Sequence, residues 1–311
     1  MTLIWNQVGP AAREAIERAA PDVEVLDIPL DPEAAPGRPA DVLFARPRPD
    51  LPRAALSSID VSWADGVPWV HSLSVGIDQY PPGLLAERVV TVPRGVWSGA
   101  VAEYVLAAIL SAEKRMPWIY SGAHVPLFTL GLLRDATVGI VGFGDIGQAV
   151  ARLLAPLGSN VVATRRCGER SPLAGVSIVP LDRLFAQSDH IVLTVPTTSE
   201  TIGLIGDSVL AEVKPGAHLI NVARGSVVDD AALLRALDDG RLSAATLDVT
   251  EPEPLPDDHP LRQREAVRIS PHVSGAARGL EHRAFEAFTD NVRRFLSREP
   301  LQGVADIDKG Y

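Results

Sequence analysis

Short apolar runs alternate with stretches of helical spacing along almost the whole chain. This alternation limits the fold more than any other feature, because strands separated by helices pair in parallel and need cover on both faces. In the first part of the chain the runs 2–5, 23–28, 41–45, 69–73 and 89–92 read as strands, each closed by Gly, Pro or Asn. Between the first two, 11–20 sets Ala12, Ala15, Ile16 and Ala19 at helical spacing, and Pro21 stops it. The proline-rich stretch 31–39 reads as a surface loop, since the strand pattern resumes directly after it.

A second series follows, with expected strands at 137–141, 160–164, 177–179, 190–195, 218–222, 244–249 and 267–269. Its clearest helix is 229–239, entered through acidic residues and stopped by Gly240. Helical patterns at 98–114 and 280–296 flank this series and are expected to join two domains. The length of 311 residues agrees, because it exceeds what one core usually supports.

Composition excludes several classes of function. Twenty-nine basic residues against 39 acidic ones leave a net charge of −10, which argues against a nucleic-acid surface. A single cysteine, Cys167, excludes an intramolecular disulfide framework and a thiolate zinc cluster, and no metal site is expected. The N-terminus lacks the pattern of a signal peptide, and no apolar run reaches the ~18 residues of a membrane span. A cytoplasmic protein without a membrane partner is the expectation.

The run Gly142-Phe143-Gly144-Asp145-Ile146-Gly147 follows one expected strand and opens an expected helix at 148–154. In that context Gly142 permits a tight turn, Gly144 lets backbone approach a pyrophosphate, and Gly147 lets the helix pack on the strand. The helix N-terminus then faces the anion. An NAD-binding unit should close its second strand with a carboxylate about 20 residues on. Here that strand ends Thr164-Arg165-Arg166. Two guanidiniums and a hydroxyl suit a 2′-phosphate, so NADP is the expected cofactor and NAD the lesser one. The competing reading is that both arginines are solvated surface charges.

Strand-end placement separates the seven histidines, because parallel α/β sheets bind ligands outside the carboxyl ends of their strands. His190 and His218 begin strands; His124, His259 and His282 fall in expected loops or a surface helix, where an exposed neutral ring is expected; His71 ends a strand of the other series. His272 remains, after the strand 267–269. By the same logic Arg224 follows 218–222, while Asp248 and Glu253 lie at or beyond the end of 244–249. A hydride-transfer site needs a cation for an anionic substrate, an acid/base for the alcohol proton, and a carboxylate to hold it. Arg224, His272 and Glu253 match those needs. Each also has a plain structural reading: a helix-entry ion pair, a strand-end cap and a loop charge.

At these residues the sequence resembles the D-isomer-specific 2-hydroxyacid dehydrogenase family, near its glyoxylate/hydroxypyruvate reductase branch. The resemblance runs through Val101-Ala102-Glu103, 139–147, 195–201, 221–229, 247–254 and Pro271-His272. It implies that Arg224 binds the substrate carboxylate and carbonyl, that His272 is the acid/base and that Glu253 pairs with it. It also implies that Ser74-Val75-Gly76 offers backbone N–H groups to the carboxylate. Asp248 would face the nicotinamide amide, and Val195, Pro196 and Thr201 would line its ribose or diphosphate. Asp145 and Ile146 in the glycine turn, with Val222 and Ala223 before Arg224, complete the expected cofactor contacts.

The sequence departs from the family in two places: Arg165 replaces the acidic residue of NAD users, and Trp97 stands where formate-oxidising relatives carry an asparagine. Arg46, Leu73 and Trp97 are candidates to border the substrate side chain.

The expectation is therefore α/β, with two Rossmann-like domains and a cleft between them. Residues 1–97 plus 276–311 would form a flavodoxin-like substrate-binding domain, and 98–275 a doubly wound dinucleotide-binding domain. The reaction would be hydride transfer between NADPH and a small 2-oxo acid, carried out by a homodimer. The other class kept open is a nucleotide-sensing binding protein or corepressor, since such relatives keep the same three residues.

Overall fold

The computed structural model describes residues 1–120, 130–166, 168, 170–307 and 309–310. Its contacts divide the chain into two compact units, one of Met1–Val96 with Arg278–Tyr311 and one of Trp97–Ala277.

In the first unit five parallel strands, β1 (Leu3–Asn6), β2 (Glu24–Asp27), β3 (Val42–Ala45), β4 (Trp69–Ser72) and β5 (Val89–Thr91), stand in the order β2-β1-β3-β4-β5. This is the flavodoxin-like order. The three strands β1, β3 and β4 are buried along their whole length, which explains their continuous apolar runs. Alternate side chains feed opposite faces: Leu3, Trp5, Leu43 and Val70 one cluster, Ile4, Val42, Phe44 and Trp69 the other. The helix Pro10–Ala19 and the helix Leu280–Leu296 cover the second face, with Ile16, Phe285, Phe288 and Val292 facing inward.

The second unit holds seven parallel strands: β6 (Thr137–Val141), β7 (Asn160–Thr164), β8 (Val176–Ile178), β9 (His190–Leu193), β10 (Ala217–Asn221), β11 (Leu242–Leu247) and β12 (Val267–Ile269). Their order is β12-β11-β10-β9-β6-β7-β8, the doubly wound arrangement with one added strand. The order reverses at β6, which pairs with β7 on one side and β9 on the other. Here too Ile191 and Leu193 pack on one face and Val192 on the other.

Several element ends move from the sequence expectation. The helix after the glycine turn spans Asp145–Leu154, so Gly147 lies inside its first turn instead of before it. The helix Asp230–Asp238 starts after Asp229, whose side chain accepts the Ala232 N–H at 2.9 Å. β9 stops at Leu193; the next N–H, of Thr194, still reaches the Val141 carbonyl at 2.8 Å, and its hydroxyl donates to the Gly142 carbonyl at 2.6 Å. β11 runs over Leu242–Leu247, two residues earlier than the expected strand, and Asp248 lies beyond its end.

Among the described residues no helix is long and apolar enough to cross a membrane. No group of three or more His, Cys, Asp or Glu side chains among them could hold a metal ion.

Candidate active site

Apart from Trp97, which precedes the helix Ser98–Glu113, the second unit's candidate residues lie at the carboxyl edge of its sheet. The glycine turn follows β6, Thr164-Arg165-Arg166 ends and follows β7, and 195–201 follows β9. Arg224 follows β10, Asp248 and Glu253 follow β11, and His272 follows β12.

The three glycines divide their work as their surroundings dictate. Gly142 has φ 96°, and a Cβ there would meet Val195 Cγ1 at 2.9 Å and Thr194 backbone at 3.0 Å. A Cβ on Gly147 would come within 2.3 Å of the Gly142 carbonyl oxygen, so this glycine lets the helix sit down on the turn. A Cβ on Gly144 would meet nothing within 4 Å. The open side of the turn is therefore at Gly144, where a dinucleotide's phosphates would approach the start of the Asp145–Leu154 helix, and the residues present fit such a group. Ile146 and Asp145 lie in that first helical turn.

Around this turn, Val195 packs over Gly142, and Thr201 closes the adjoining loop by donating to the Pro196 carbonyl at 2.6 Å and accepting the Thr198 N–H at 2.8 Å. The Thr201 hydroxyl thus shapes the loop from within. Beyond β7, Arg165 and Arg166 are exposed while Thr164 is half-buried, and Arg166 Nε stands 3.6 Å from Glu200.

Arg224 is held by a side-chain turn. Asn221, buried at the end of β10, accepts the Ala223 N–H at 3.0 Å and donates to the Arg224 carbonyl at 2.9 Å, fixing the Val222-Ala223-Arg224 segment. The next residue, Gly225, packs so closely on the Thr250-Glu251 backbone that a Cβ would lie 2.0 Å from it. That contact draws the segment carrying Arg224 against the one leading to Glu253. Sequence reasoning gave Asn221 and Gly225 no role of their own; their signal was only their place beside the arginine.

His272 Nδ1 lies 2.7 Å from Glu253 Oε1, with both side chains partly open to solvent. His272 has φ 54°, the left-handed region that few non-glycine residues enter and that clusters at functional sites. Asp248 is 1 % exposed, and its carboxylate accepts hydrogen bonds from Ser270 Oγ, Val273 N and Ser274 N. Its first task is thus to hold the loop around His272, which the expected contact to a nicotinamide amide did not include.

The other histidines sort as follows. His190 and His218, at 4 % and 3 % exposure, form a buried chain from Glu113 through His190 to His218 and on to Thr246, at the opposite edge of the sheet. Burial, with His190 nearby, pushes His218 down to about 3. His71 lies inside β4 and is buried, so it does not end that strand. His259, expected to be exposed, is half-buried and stands 3.5 Å from Asp230, because its ring accepts the Leu261 N–H at the start of a short helix. His282 is exposed; His124 and Cys167 lie outside the described residues.

In the first unit, Ser74-Val75-Gly76 follows β4 in a turn tied by its own hydroxyls. Ser72 Oγ donates to the Ser74 carbonyl at 2.6 Å, Ser74 Oγ to the Gly76 carbonyl at 2.7 Å, and the Tyr80 hydroxyl accepts the Leu73 N–H. The Ser74 N–H, one of the three expected donors, is already engaged by Ser72 Oγ at 3.1 Å.

Comparison with known proteins bears on all of this. The family model described as D-isomer specific 2-hydroxyacid dehydrogenase, NAD binding domain, matches residues 107–274. A glyoxylate reductase of Korarchaeum cryptofilum is 33 % identical over 95 % of this chain and 86 % of its own. Among solved structures, a D-isomer specific 2-hydroxyacid dehydrogenase from Xanthobacter autotrophicus, in complex with NADPH and MES, superposes with a TM-score of 0.85 at 28 % identity, covering 100 % of this chain and 99 % of the other. An NADPH-dependent glyoxylate/hydroxypyruvate reductase from Sinorhizobium meliloti, in complex with NADP and sulfate, does so at 0.81 and 25 % identity over 100 % of both chains.

Proposed function

The chain belongs to the D-isomer specific 2-hydroxyacid dehydrogenase family and is a dehydrogenase of 2-hydroxy acids that uses a nicotinamide dinucleotide, and from that premise we propose that it reduces a small 2-oxo acid of the glyoxylate or hydroxypyruvate kind with NADPH. The observation that carries the reading is the His272–Glu253 pair at 2.7 Å, bridging the loops after β12 and β11, with Arg224 after the next strand, β10.

The bound dinucleotide supplies the hydride. Glu253 accepts a hydrogen bond from Nδ1–H of His272, orients the ring and leaves Nε2 to give a proton to the carbonyl oxygen. Arg224 fixes the substrate carboxylate and balances the negative charge that grows on that oxygen. The nucleotide-sensing alternative is not favoured, since the named relatives are reductases and dehydrogenases.

The preference for NADPH rests on Thr164, Arg165 and Arg166 standing where NAD users place a carboxylate. Two charge-assisted contacts to a 2′-phosphate, each worth roughly 1.5–3 kcal/mol, favour NADPH on the order of 10²-fold before desolvation is subtracted. A homodimer is part of the proposal. The helix Ser98–Glu113 is apolar nearly all round, and Leu110, Ile119, Tyr120, Leu130 and Leu132 in and after it remain exposed, a surface that a second copy would cover. A cytoplasmic location is also part of the proposal, supported by the sparse cysteine usage.

The test is a panel of glyoxylate, hydroxypyruvate and phenylpyruvate assayed with NADPH and NADH, in the unmodified protein and in Arg165→Asp. NADPH should win in the first and lose its advantage in the second, mainly through KM. Equal kcat/KM for both cofactors in the unmodified protein would leave the arginines as surface charges. Absence of turnover with every acid would reject this substrate class.

A further inference from the structure

The loop that carries His272 is organised around one buried carboxylate. Asp248 Oδ1 accepts hydrogen bonds from Ser270 Oγ at 2.6 Å and from Val273 N at 2.8 Å, while Oδ2 accepts from Ser274 N at 2.9 Å. The Asp248 carbonyl accepts the N–H of His272 itself at 2.8 Å. The left-handed φ of His272 turns the two following N–H groups back toward the carboxylate, making an anion nest for a side chain of the protein.

The chain of donors extends beyond this loop. Ser270 has one hydroxyl proton, and Asp248 receives it. The Tyr104 hydroxyl, 2.5 Å from Ser270 Oγ, is therefore the donor in that contact. Tyr104 lies on the helix Ser98–Glu113 of the same unit, so the directed chain Tyr104 to Ser270 to Asp248 ties the loop after β12 to a packed helix as well as to the end of the neighbouring strand β11. Burial, with the Asp248 charge adding to it, raises the Tyr104 phenol and keeps it a donor. Neither Tyr104 nor Ser270 stands out in the sequence, since a half-buried tyrosine on an apolar helix and a serine before a proline are both ordinary.

We propose that Tyr104 and Ser270 are positioning residues for His272: acting through Asp248, they hold the 270–274 loop in the bend that sets the imidazole against Glu253. The proposal rests on the reading of His272 as the acid/base. A displacement of ~1 Å at a reacting group can cost about 10²-fold in rate. The two backbone bonds to Asp248 survive loss of the tyrosine hydroxyl, so an effect of about tenfold is expected.

The experiment compares Tyr104→Phe, Ser270→Ala, Ser270→Thr and His272→Asn, and the double variant Tyr104→Phe/His272→Asn, with the best 2-oxo acid of the panel. NADPH affinity is read separately by fluorescence titration. Tyr104→Phe and Ser270→Ala should each lower kcat about tenfold with NADPH affinity unchanged, and Ser270→Thr, which keeps the hydroxyl, should restore at least half of kcat. Placing Tyr104→Phe on the His272→Asn background should cost nothing further, because the group it positions is already gone. A kcat for Tyr104→Phe within twofold of the unmodified enzyme overturns the proposal. So does an equal loss in both backgrounds, which a merely structural role would produce. Near-normal turnover in His272→Asn is a different failure, removing the acid/base reading itself.

Discussion

Glu253 Oε1 stands 2.7 Å from Nδ1 of His272, across the gap between the loops that follow two neighbouring strands. In the proposed mechanism this contact decides which ring nitrogen acts: with Nδ1 donating to the carboxylate, Nε2 is the one left to exchange a proton.

His272→Asn keeps a polar side chain on the loop but removes the exchangeable proton. Its kcat for 2-oxo acid reduction should fall by on the order of 10²–10⁴. NADPH affinity should stay within about twofold, since no cofactor contact is altered. Steady-state kinetics with a parallel binding titration checks this, and near-normal turnover would take His272 out of the mechanism.

Arg224→Lys should behave as a severe change. An ammonium cannot reproduce the planar two-point contact of a guanidinium with a carboxylate. The loss in kcat/KM should exceed tenfold, equivalent to 1.4 kcal/mol or more. If kcat and KM for the oxo acid both remain within about threefold, the assigned role is wrong.

Gly144 and Gly147 should separate binding from stability. Gly144 faces open space, so Gly144→Val should weaken NADPH binding at least tenfold while leaving the urea midpoint nearly unchanged. A Cβ on Gly147 falls 2.3 Å from the Gly142 carbonyl oxygen, so Gly147→Ala should destabilise the fold by about 1–3 kcal/mol. Loss of stability in the first variant, or none in the second, would reverse the assignment of the two glycines.

Acid should destabilise the protein partly through His71. Its ring is fully enclosed beside Phe44, Trp69 and Phe288, and burial pushes its pKa down to about 3. The folded chain keeps this histidine neutral, whereas the unfolded chain protonates it below about 6.5. The unfolded state thus binds the extra proton, so this contribution is intact above pH ~6.5 and is lost as pH falls toward 3, by about 2 kcal/mol at pH 5. Chemical denaturation at pH 7.5 and 5 should show that difference shrinking in His71→Leu. An unchanged difference would mean that the ring protonates without unfolding.

What the sequence by itself determined is what short stretches of chain encode. The alternation of apolar runs and helical spacing already specified two parallel sheets, and three strands, β6, β7 and β12, have their expected ends. The glycine turn announced its own geometry because Gly142 and Gly147 answer to neighbours within a few residues or at the adjoining strand end. The placement of Arg224, Glu253 and His272 beyond strand ends was legible because in a parallel sheet every such end points the same way.

Tertiary structure decided whatever depends on which strands become neighbours. Gly225 matters because β10 lies beside β11, and its packing on Thr250-Glu251 has no trace in local pattern. Asp248 is 22 residues before Ser270, and Tyr104 is 166 residues before it; their chain exists only once β11, β12 and the helix Ser98–Glu113 are assembled. The same assembly drew His190 and His218 into a buried pair and made an N-terminal helix cap of His259. A residue type and its spacing state what a side chain can do. Which partner satisfies its hydrogen bonds in a dry interior is settled by the packing that excludes water from it, because a buried polar group must be paired and local sequence does not say with what.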